Sequence, residues 1–420
     1  MTETEPRICV HGLGYVGLPT AAILANSGYE VYGFDADQDH RSDLLEGSFD
    51  IEEPDLDRFV RRALEDGLQI VSQPREVEFH VICVPTPYDM DLDRTDLSYV
   101  EAAAEAVAVE LREGDTVVLS STVPPGTTAG RLRDVVEKSG LSASEDFVLG
   151  YSPETVLPGN TLTELRENDR IVGTVGDQPT DQLVALYDSF VSGDIKTTDA
   201  TTAEFVKLVQ NAYRDTNIAF ANEIAKLSHE FGIDSREAIA MANEHPRVEI
   251  LRPGPGVGGH CIPIDPLFLN HGNDIPMLIE TARRVNNEMP EFVAELLSEA
   301  LDDLQGARVA LLGVAYKGGV SDVRETPSFT IAEELLERGV DEIRLTDPYV
   351  DSDNIDYDLL SLEESLEQVD AAVLVTDHPE YGALSPKTFV SRMRGEVIVD
   401  TRAMLDGDRW MAAGFDVYQI

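Results

Sequence analysis

The chain has 420 residues, of which 79 are acidic and 32 are basic, and its formal net charge is −47. This length predicts two or three domains, and a hydrophobic content of 42% excludes a disordered acidic protein. The negative field excludes nucleic acid and anionic membranes as partners, and it indicates a halophilic, haloarchaeal-type protein whose charges are screened by salt, the alternative being an acidic mesophilic protein.

Neither a leader nor a membrane anchor is predicted. The N-terminal residues 1–7 contain no basic and apolar leader, and no apolar run approaches the roughly 18 residues that span a bilayer. We therefore expect a cytoplasmic protein without a membrane partner. Cys9, Cys83 and Cys261 form neither a metal-binding spacing nor a disulfide framework, so no metal site is predicted.

A glycine-rich turn between a strand and a helix begins the first domain. Ile8–His11 predicts a buried strand and Leu18–Ser27 a helix, separated by Gly12-Leu13-Gly14-Tyr15-Val16-Gly17. These glycines allow a tight turn and the approach of a pyrophosphate to the helix N-terminus. The next strand, Glu30–Phe34, ends at Asp35, whose carboxylate suits the adenosine ribose and favours NAD over NADP. The alternative is a nucleotide-free domain of the same fold.

Further alternation of strands and helices predicts a doubly wound parallel α/β sheet. The remaining elements recognised in this domain are strands Phe79–Val84, Thr116–Leu119 and Phe147–Gly150, and helix Tyr99–Arg112. Polar loops follow the three strands, at residues 83–87, 120–128 and 151–154. Ligands bind outside the carboxyl ends of parallel strands, so we expect these loops to face the nicotinamide. Glu154 is expected in the active site, the alternative being an ordinary surface acid.

The middle of the chain is predicted to be helical. A helix from Thr202 to about Glu230 places Lys207 and Asn211 on one face, where they can stabilise an oxyanion; a solvated lysine and a capping amide are the alternative. A second helical stretch is predicted from Ile275 to about Gln305. Long central helices of this kind commonly form a dimer interface.

A glycine-rich loop between these helices contains a cysteine and a carboxylate. Residues 254–259 include four glycines, and Cys261 is followed four positions later by Asp265. Glycine lets a substrate approach the backbone, and a thiol near a carboxylate suggests covalent catalysis. The alternative is a buried free cysteine beside a turn.

After Gly306 the βα alternation begins again. The predicted strands are Arg308–Leu312, Ile343–Asp347, Ala371–Thr376 and Val397–Asp400. This second α/β domain lacks a Gly-x-Gly-x-x-Gly motif, so we expect it to bind a mononucleotide head group. Lys317, Arg324 and Arg402 lie at strand ends or in adjoining loops, where they can bind phosphate or ribose; scattered surface charges are the alternative. The expected domains are therefore residues 1–200, 201–305 and 306–420.

Taken together, the motifs resemble those of the UDP-glucose/GDP-mannose dehydrogenase family along essentially the whole chain. They are Gly12-x-Gly14-x-x-Gly17, Cys83-Val84-Pro85-Thr86-Pro87, Ser121-Thr122-Val123-Pro124, Ser152-Pro153-Glu154, Lys207-x-x-x-Asn211, Gly258-Gly259-His260-Cys261-x-x-x-Asp265 and Asp322-x-Arg324-Glu325. The resemblance implies an N-terminal Rossmann NAD-binding domain, a central helical region and a Rossmann-like UDP-binding domain. It also implies a homodimer formed through the central helices, and an NAD-dependent four-electron oxidation of a UDP-sugar at C6.

The resemblance assigns roles to residues at matching positions. Cys261 forms a thiohemiacetal and then a thioester, while Lys207 and Asn211 stabilise the oxyanions. Asp265 acts as a base or orients water, and Thr122 and Glu154 position water. The expected NAD contacts are Gly12, Gly14, Tyr15, Val16, Gly17, Asp35, Thr86, Thr122 and Arg324. The expected substrate contacts are Glu154, Lys207, Asn211, Gly258, Lys317 and Arg402, with Arg247 reaching the neighbouring subunit's substrate.

The branch of the family sets the expected sugar. His260 before the cysteine and Ile264 before the aspartate argue against UDP-glucose. Residues 167–170, 213–223 and 245–256 resemble the UDP-N-acetyl-D-mannosamine branch, although Thr155 replaces its usual arginine. Oxidation of that sugar to its uronate, for surface polysaccharide or glycoprotein glycans, is expected. UDP-N-acetylglucosamine and UDP-glucose are the alternative substrates, and a catalytically silent nucleotide-sugar-binding protein is the alternative outside enzymes.

Overall fold

The computed structural model describes residues 6–49, 51, 53–90, 92, 94–143, 145–156, 159–270, 277–352 and 355–420. The chain forms two compact units. Unit 1 comprises Met1–Gln210 and Leu267–Asn273, and unit 2 comprises Asn211–Pro266 and Asp274–Ile420. No helix in these described ranges is long and apolar enough to cross a membrane.

Unit 1 is a doubly wound α/β unit. Its strands are β1 (Ile8–His11), β2 (Val31–Phe34), β3 (Leu68–Val71), β4 (Phe79–Ile82), β5 (Tyr88–Asp89), β6 (Arg94–Thr95), β7 (Thr116–Leu119), β8 (Val148–Tyr151), β9 (Arg170–Thr174) and β10 (Ile195–Asp199). Its helices are α1 (Gly17–Asn26), α2 (Gln38–Glu46), α3 (Pro54–Asp66), α4 (Ser98–Glu110), α5 (Arg133–Val136), α6 (Thr161–Glu167) and α7 (Asp181–Asp188), with a π-helical turn at Thr128–Leu132. Eight strands form one sheet in the order β10-β9-β8-β7-β4-β1-β2-β3, and β5 pairs with β6.

The direction of β9 departs from the predicted parallel sheet. Gly150 of β8 lies opposite Thr174 of β9 in an antiparallel pair, whereas every other neighbouring pair of this sheet is parallel. Strands β3, β9 and β10 were not predicted from the sequence. Hydrophobic periodicity reports which residues face the core but not the direction in which a strand runs.

Unit 2 contains the second predicted sheet. A long helix, α8 (Ala200–Phe231), begins in unit 1 and ends in unit 2. Helix α9 (Ser235–Asn243) follows in unit 2, and α10 (Asp265–Asn270) begins in unit 2 and continues in unit 1. The remaining elements of unit 2 are α11 (Met277–Asn287), α12 (Met289–Leu301), β11 (Arg308–Leu312), α13 (Pro327–Glu337), β12 (Glu342–Thr346), α14 (Leu362–Ser365), β13 (Ala371–Leu374), α15 (Pro386–Val390), β14 (Val397–Asp400), α16 (Gly407–Met411) and β15 (Asp416–Gln419). The five strands are parallel in the order β12-β11-β13-β14-β15.

The second central helix of the prediction is two helices. Helix α11 ends at Asn287 and α12 begins at Met289, with Pro290 in its first turn. Proline has no backbone N–H and its ring clashes with the preceding turn, so α11 cannot continue through it. The predicted start at Ile275 lies outside the described residues.

Both faces of the main sheet of unit 1 are buried. Ile8 and Val10 of β1 pack in one apolar cluster, and Ile82 of β4 packs with α4 in another. Apolar residues at consecutive strand positions therefore bury both faces, as expected for a sheet covered by helices on both sides. The predicted α/β fold class is confirmed.

Three polar side chains interrupt the core on the α4 side. Cys9, His11 and His80 are fully buried and offer ligand-type atoms within 4.8 Å of one another. His11 Nε2 lies 3.2 Å from His80 Nδ1, while the other ring nitrogen of each histidine has no partner among the described residues. Burial raises the pKa of the Cys9 thiol to about 12 and lowers that of His11 to about 4 and that of His80 to about 3. All three groups are therefore neutral at physiological pH.

These histidines predict a specific acid sensitivity. An unfolded histidine titrates near 6.5, so below about pH 6.5 the unfolded chain binds protons that the folded chain does not. The contribution of the neutral, buried histidines to the free energy of unfolding is complete above about pH 6.5 and is lost as the pH falls toward 4. A His11→Leu/His80→Val variant should remove up to about 1.4 kcal/mol of acid destabilisation per pH unit for each histidine, measured by urea unfolding.

The exposed His245 provides a control. A His245→Asn variant should keep the wild-type dependence of unfolding free energy on pH. An equally steep loss of stability in the His11→Leu/His80→Val variant on acidification from pH 6.5 would contradict the prediction.

Candidate active site

The glycine turn of unit 1 has the geometry required by a pyrophosphate. Gly12 has a φ of 89°, and a Cβ atom there would lie 2.6 Å from the Cys83 carbonyl oxygen. A Cβ atom at Gly17 would overlap the Gly12 carbonyl oxygen, whereas one at Gly14 would meet nothing within 4 Å. The turn thus excludes side chains at its ends and leaves open space at its middle, next to the N-terminus of α1. These features fit NAD.

Asp35 follows β2 and fixes this turn. Its carboxylate accepts hydrogen bonds from the N–H of Leu13 (2.7 Å) and the N–H of Asp37 (2.9 Å). The side chain remains half-exposed, so acceptor capacity is left for ribose hydroxyls. Tyr15, whose hydroxyl lies 2.7 Å from Thr161 Oγ1, and Val16 lead from the turn into α1.

Hydrogen bonds join the loops after β4 and β7. Thr86 Oγ1 donates to the Thr122 carbonyl (2.6 Å), and Ser121 Oγ donates to the Val84 carbonyl (2.7 Å). The structure therefore places predicted cofactor residues Thr86 and Thr122 side by side at the carboxyl edge of the sheet.

A buried carboxylate connects the second of these loops to α8. Glu204 accepts hydrogen bonds from the N–H of Gly126 (2.5 Å) and from the N–H (2.8 Å) and hydroxyl (2.6 Å) of Thr128. Burial raises its pKa. Lys207 lies about one helical turn further along α8 and is also buried. Glu204 was not identified from the sequence, because a carboxylate in an amphipathic helix pattern is typical of a solvated face.

Glu154, after β8, is paired with a buried arginine. Arg170 Nη1 lies 2.9 Å from Glu154 Oε2, and only 5% of the arginine side chain and 9% of the glutamate side chain are exposed. The same nitrogen donates to the Pro153 carbonyl (3.1 Å), and Glu154 Oε1 accepts from the N–H of Thr155 (2.8 Å). Glu154 is thus held in one orientation.

In unit 2, the two glycines before His260 and Cys261 pack against a second loop. A Cβ atom at Gly258 would lie 2.5 Å from the Glu325 carbonyl oxygen and 2.7 Å from Tyr316 Cβ. Gly259 has a φ of 88°, donates its N–H to the Arg324 carbonyl (2.9 Å) and lies against the Tyr316 ring. Close packing therefore requires both glycines. Tyr316 and Glu325 were not identified from the sequence as partners of this loop.

Cys261 is exposed and begins a turn that leads into α10. Its carbonyl accepts the N–H of Asp265 at 2.8 Å. Asp265 is buried and accepts a hydrogen bond from Asn211 Nδ2 at 2.5 Å. The structure thus brings Asn211 of one predicted motif to Asp265 of the motif that contains Cys261. A thiol on the surface beside an oriented carboxylate is suited to covalent chemistry.

Arg324 supplies positive charge to this loop. Its guanidinium pairs with Asp322, whose pKa is lowered because the hydrogen bonds from Arg324 outweigh burial, and it also interacts electrostatically with Cys261. Burial, followed by the charge of Arg324, lowers the pKa of His260. A cation near a thiol favours the thiolate. Arg324 was predicted as an NAD contact, and the structure places it beside the cysteine loop of unit 2.

Arg402, after β14, packs on the start of the same loop. Its Nε donates to the Val375 carbonyl (2.9 Å), and a Cβ atom at Gly254 would lie 2.8 Å from its Nη1. The Gly254 N–H is held by buried Asn222 (2.9 Å). Lys317 and Arg247, two further predicted substrate contacts, are exposed in other loops of unit 2.

The carboxylate at the end of β12 differs from Asp35. Asp347 accepts hydrogen bonds from the backbone N–H groups of Val314 (2.7 Å), Ala315, Tyr349 and Val350, and it lies 2.9 Å from His378 Nε2. Asp347 and His378 side chains are fully buried. Protein groups occupy the acceptor sites that a dinucleotide ribose requires, so this strand end cannot bind one in the manner of Asp35.

The chain is similar to known proteins over its whole length. Its sequence matches three domains described for the UDP-glucose/GDP-mannose dehydrogenase family: the NAD binding domain at residues 6–191, the central domain at 201–288 and the UDP binding domain at 310–407. The UDP-N-acetyl-D-mannosamine dehydrogenase of Methanocaldococcus jannaschii is 42% identical, over 100% of this chain and 98% of the relative. The NDP-N-acetyl-D-galactosaminuronic acid dehydrogenase of Ralstonia nicotianae is 39% identical, over 96% and 97%. The structure of the UDP-D-ManNAc dehydrogenase of Pyrococcus horikoshii has a TM-score of 0.91 and 42% identity, covering 99% of each chain.

The packing of Gly258 predicts the effect of one methyl group. A Gly258→Ala substitution should displace the cysteine loop, because the new Cβ atom would overlap both the Glu325 carbonyl oxygen and Tyr316 Cβ, and these two groups cannot both move away. We expect a loss of about 1–3 kcal/mol in unfolding free energy, measured by urea unfolding, and a changed rate of Cys261 modification by a maleimide. Gly407→Ala is the control, since its Cβ atom would have no neighbour closer than 3.9 Å. Identical stability and thiol reactivity in wild type and Gly258→Ala would contradict this packing argument.

Proposed function

The chain belongs to the UDP-glucose/GDP-mannose dehydrogenase family, and we propose that it oxidises UDP-N-acetyl-D-mannosamine at C6 to the corresponding uronate. The observation that carries the proposal is the exposed Cys261 at the start of the turn that orients buried Asp265, itself hydrogen-bonded to Asn211. The similarity to dehydrogenases named for this sugar supports the choice of substrate.

Unit 1 contains the family's NAD-binding domain. When bound, NAD accepts the hydrides that leave C6 of the sugar. We propose that the Gly12–Gly17 turn binds the pyrophosphate and that Asp35 binds the ribose. The loops containing Thr86 and Thr122 face the nicotinamide.

Cys261 performs the covalent chemistry in this proposal. Loss of the first hydride leaves an aldehyde, and the thiolate adds to its carbon to form a thiohemiacetal. Loss of the second hydride gives a thioester; water then adds, the C–S bond breaks and the thiolate leaves. Two hydrides, and therefore four electrons, leave each sugar. Arg324 stabilises the thiolate.

The remaining polar residues stabilise charge or position water. Lys207 and Asn211 donate to the oxyanions, and Asp265 acts as base or orients the attacking water. Thr122 and Glu154 position that water. The UDP binding domain matched at residues 310–407 contains Lys317 and Arg402, which we propose bind the substrate together with Gly258. We further propose that Arg247 contributes to the site of a neighbouring subunit.

A homodimer is supported by an apolar stripe on α8. The exposed large apolar residues of this helix are Phe205, Val209, Tyr213, Phe220, Leu227 and Phe231. At 100° per residue, these positions fall within about 80° of the helix circumference. A continuous exposed stripe of this length suits a second copy of the same helix. We propose that this dimer works in a salt-rich cytoplasm, where its charge of −47 is screened.

The substrate prediction is tested by counting NADH. At high salt, UDP-N-acetyl-D-mannosamine titrated to completion should yield two NADH and one uronate per sugar, measured by absorbance and chromatography. UDP-N-acetylglucosamine, UDP-glucose and UDP-N-acetylgalactosamine, the last suggested by the Ralstonia relative, should react at least about tenfold more slowly, a difference of 1.4 kcal/mol in the barrier.

A Cys261→Ser variant tests the mechanism in the same assay. It should form no uronate, because serine lacks the thiolate nucleophile. Retained uronate formation would contradict the covalent route, and faster turnover of another sugar would change the substrate assignment. Binding without NADH release from any of the sugars would favour the silent nucleotide-sugar-binding protein.

The dimer is tested by charge on the apolar stripe. A Phe220→Glu/Leu227→Glu variant should change the molar mass in light scattering from that of a dimer to that of a monomer, because carboxylates would be buried in the interface. Val109→Glu, at an apolar residue of α4 that is 80% exposed, should leave the mass unchanged. A monomeric wild type, or a dimeric double variant, would contradict this interface.

A further inference from the structure

The reversal of β9 brings an arginine to Glu154. Gly150 pairs with Thr174 and Tyr151 with Gly173 in an antiparallel register. Opposed residues of an antiparallel pair have a constant sum of residue numbers, so continuing the register by three residues places Glu154 opposite Arg170. A parallel β9 would place its first residue, Arg170, at the other edge of the sheet. The one reversed pairing of the sheet thus determines the partner of Glu154.

The contact is built for fixed geometry. Arg170 is buried, and its Nη1 contacts Glu154 Oε2 and the Pro153 carbonyl at 2.9 and 3.1 Å. The guanidinium carbon lies 5.1 Å from the centre of the buried Tyr187 ring. The Tyr187 ring of α7 therefore limits the movement of the Arg170 side chain. The hydrogen bonds of Arg170 in turn limit the movement of the loop that contains Glu154.

Arg170 is the cation of this cluster. Cys83, at the end of β4, and Tyr187 of α7 also interact with Arg170. Burial raises the pKa of Cys83 to about 12 and also raises that of Tyr187, so both are neutral near pH 7. Burying a carboxylate is costly without a hydrogen-bonded partner of opposite charge, and Arg170 is that partner for Glu154.

We propose that Arg170 is a positioning residue that holds the Glu154 carboxylate in one orientation for the water that hydrolyses the thioester. This inference rests on the proposed function. A carboxylate accepts a hydrogen bond from the water and so leaves the lone pairs of the water oxygen free for attack. As the new C–O bond forms, the water passes a proton along its hydrogen bond to the carboxylate and on to solvent, the C–S bond breaks and Cys261 leaves as the thiolate. The hydride-transfer steps require no such water.

The test uses the full-length enzyme and UDP-N-acetyl-D-mannosamine with NAD. In Arg170→Met, uronate release should slow at least about tenfold, and a sugar adduct on Cys261 should accumulate in intact-protein mass spectra. Arg170→Lys should restore most of the rate and lower the adduct level again, because lysine also places a cation beside Glu154.

Two further variants separate positioning from folding. Arg170→Met/Glu154→Gln removes both buried charges and should be no slower than Glu154→Gln alone, because the arginine acts through the glutamate. Lys196→Met, which breaks the exposed pair of Lys196 with Asp169 near the same sheet edge, should keep the wild-type rate and adduct level. If Arg170→Met does not fold, Arg170→Lys and the double variant carry the test.

The outcomes are distinct. An unchanged rate of uronate release and an unchanged adduct level in folded Arg170 variants, or independent losses in the double variant, would overturn the inference while the proposed function stands. A wild type that releases no NADH would overturn the proposed function and this inference with it.

Discussion

In each large sheet, backbone N–H groups of the turn after one strand donate hydrogen bonds to a carboxylate at the end of the neighbouring strand. These hydrogen bonds organise the carboxyl edge of the sheet. In unit 1 the Leu13 N–H binds Asp35, and in unit 2 the N–H groups of Val314 and Ala315 bind Asp347. The turn after the first strand of each of these sheets is therefore fixed in the same way. The two carboxylates differ in their remaining hydrogen-bond acceptor sites. Asp35 keeps acceptor sites free for a ligand, whereas Tyr349, Val350 and His378 occupy the remaining acceptor sites of Asp347. Two similar folds consequently present different chemistry at equivalent strand ends.

Local patterns predicted much of the fold and part of the site. The Gly12–Gly17 turn, Asp35 and strands such as Thr116–Leu119 depend on residues close in sequence, and the structure has them where expected. The reversal of β9 could not be predicted, since strand direction depends on long-range topology. The contacts of Gly258 with Tyr316 and Glu325 join residues more than 50 positions apart. The glycine-rich sequence predicted a close approach to this backbone, but it did not show which residues make that approach.

Backbone strain marks two of the basic residues in unit 2. Glu325 directly follows Arg324 and has a φ of 49°, and Ala403 directly follows Arg402 with a φ of 48°. Residues with a Cβ rarely adopt this conformation, which costs of order 1–3 kcal/mol. The surrounding packing therefore fixes the backbone next to each arginine.

Salt acts unequally on the ion pairs of this acidic protein. At 1 M ionic strength the screening length is about 3 Å, so exposed pairs such as Lys196–Asp169, with 64% and 53% of their side chains accessible, lose most of their attraction. Arg170 and Glu154 expose only 5% and 9% of their side chains, so counter-ions have little access to this pair. Salt therefore screens the attraction between Arg170 and Glu154 only weakly. This attraction can stay nearly constant over ionic strengths that weaken the exposed ion pairs.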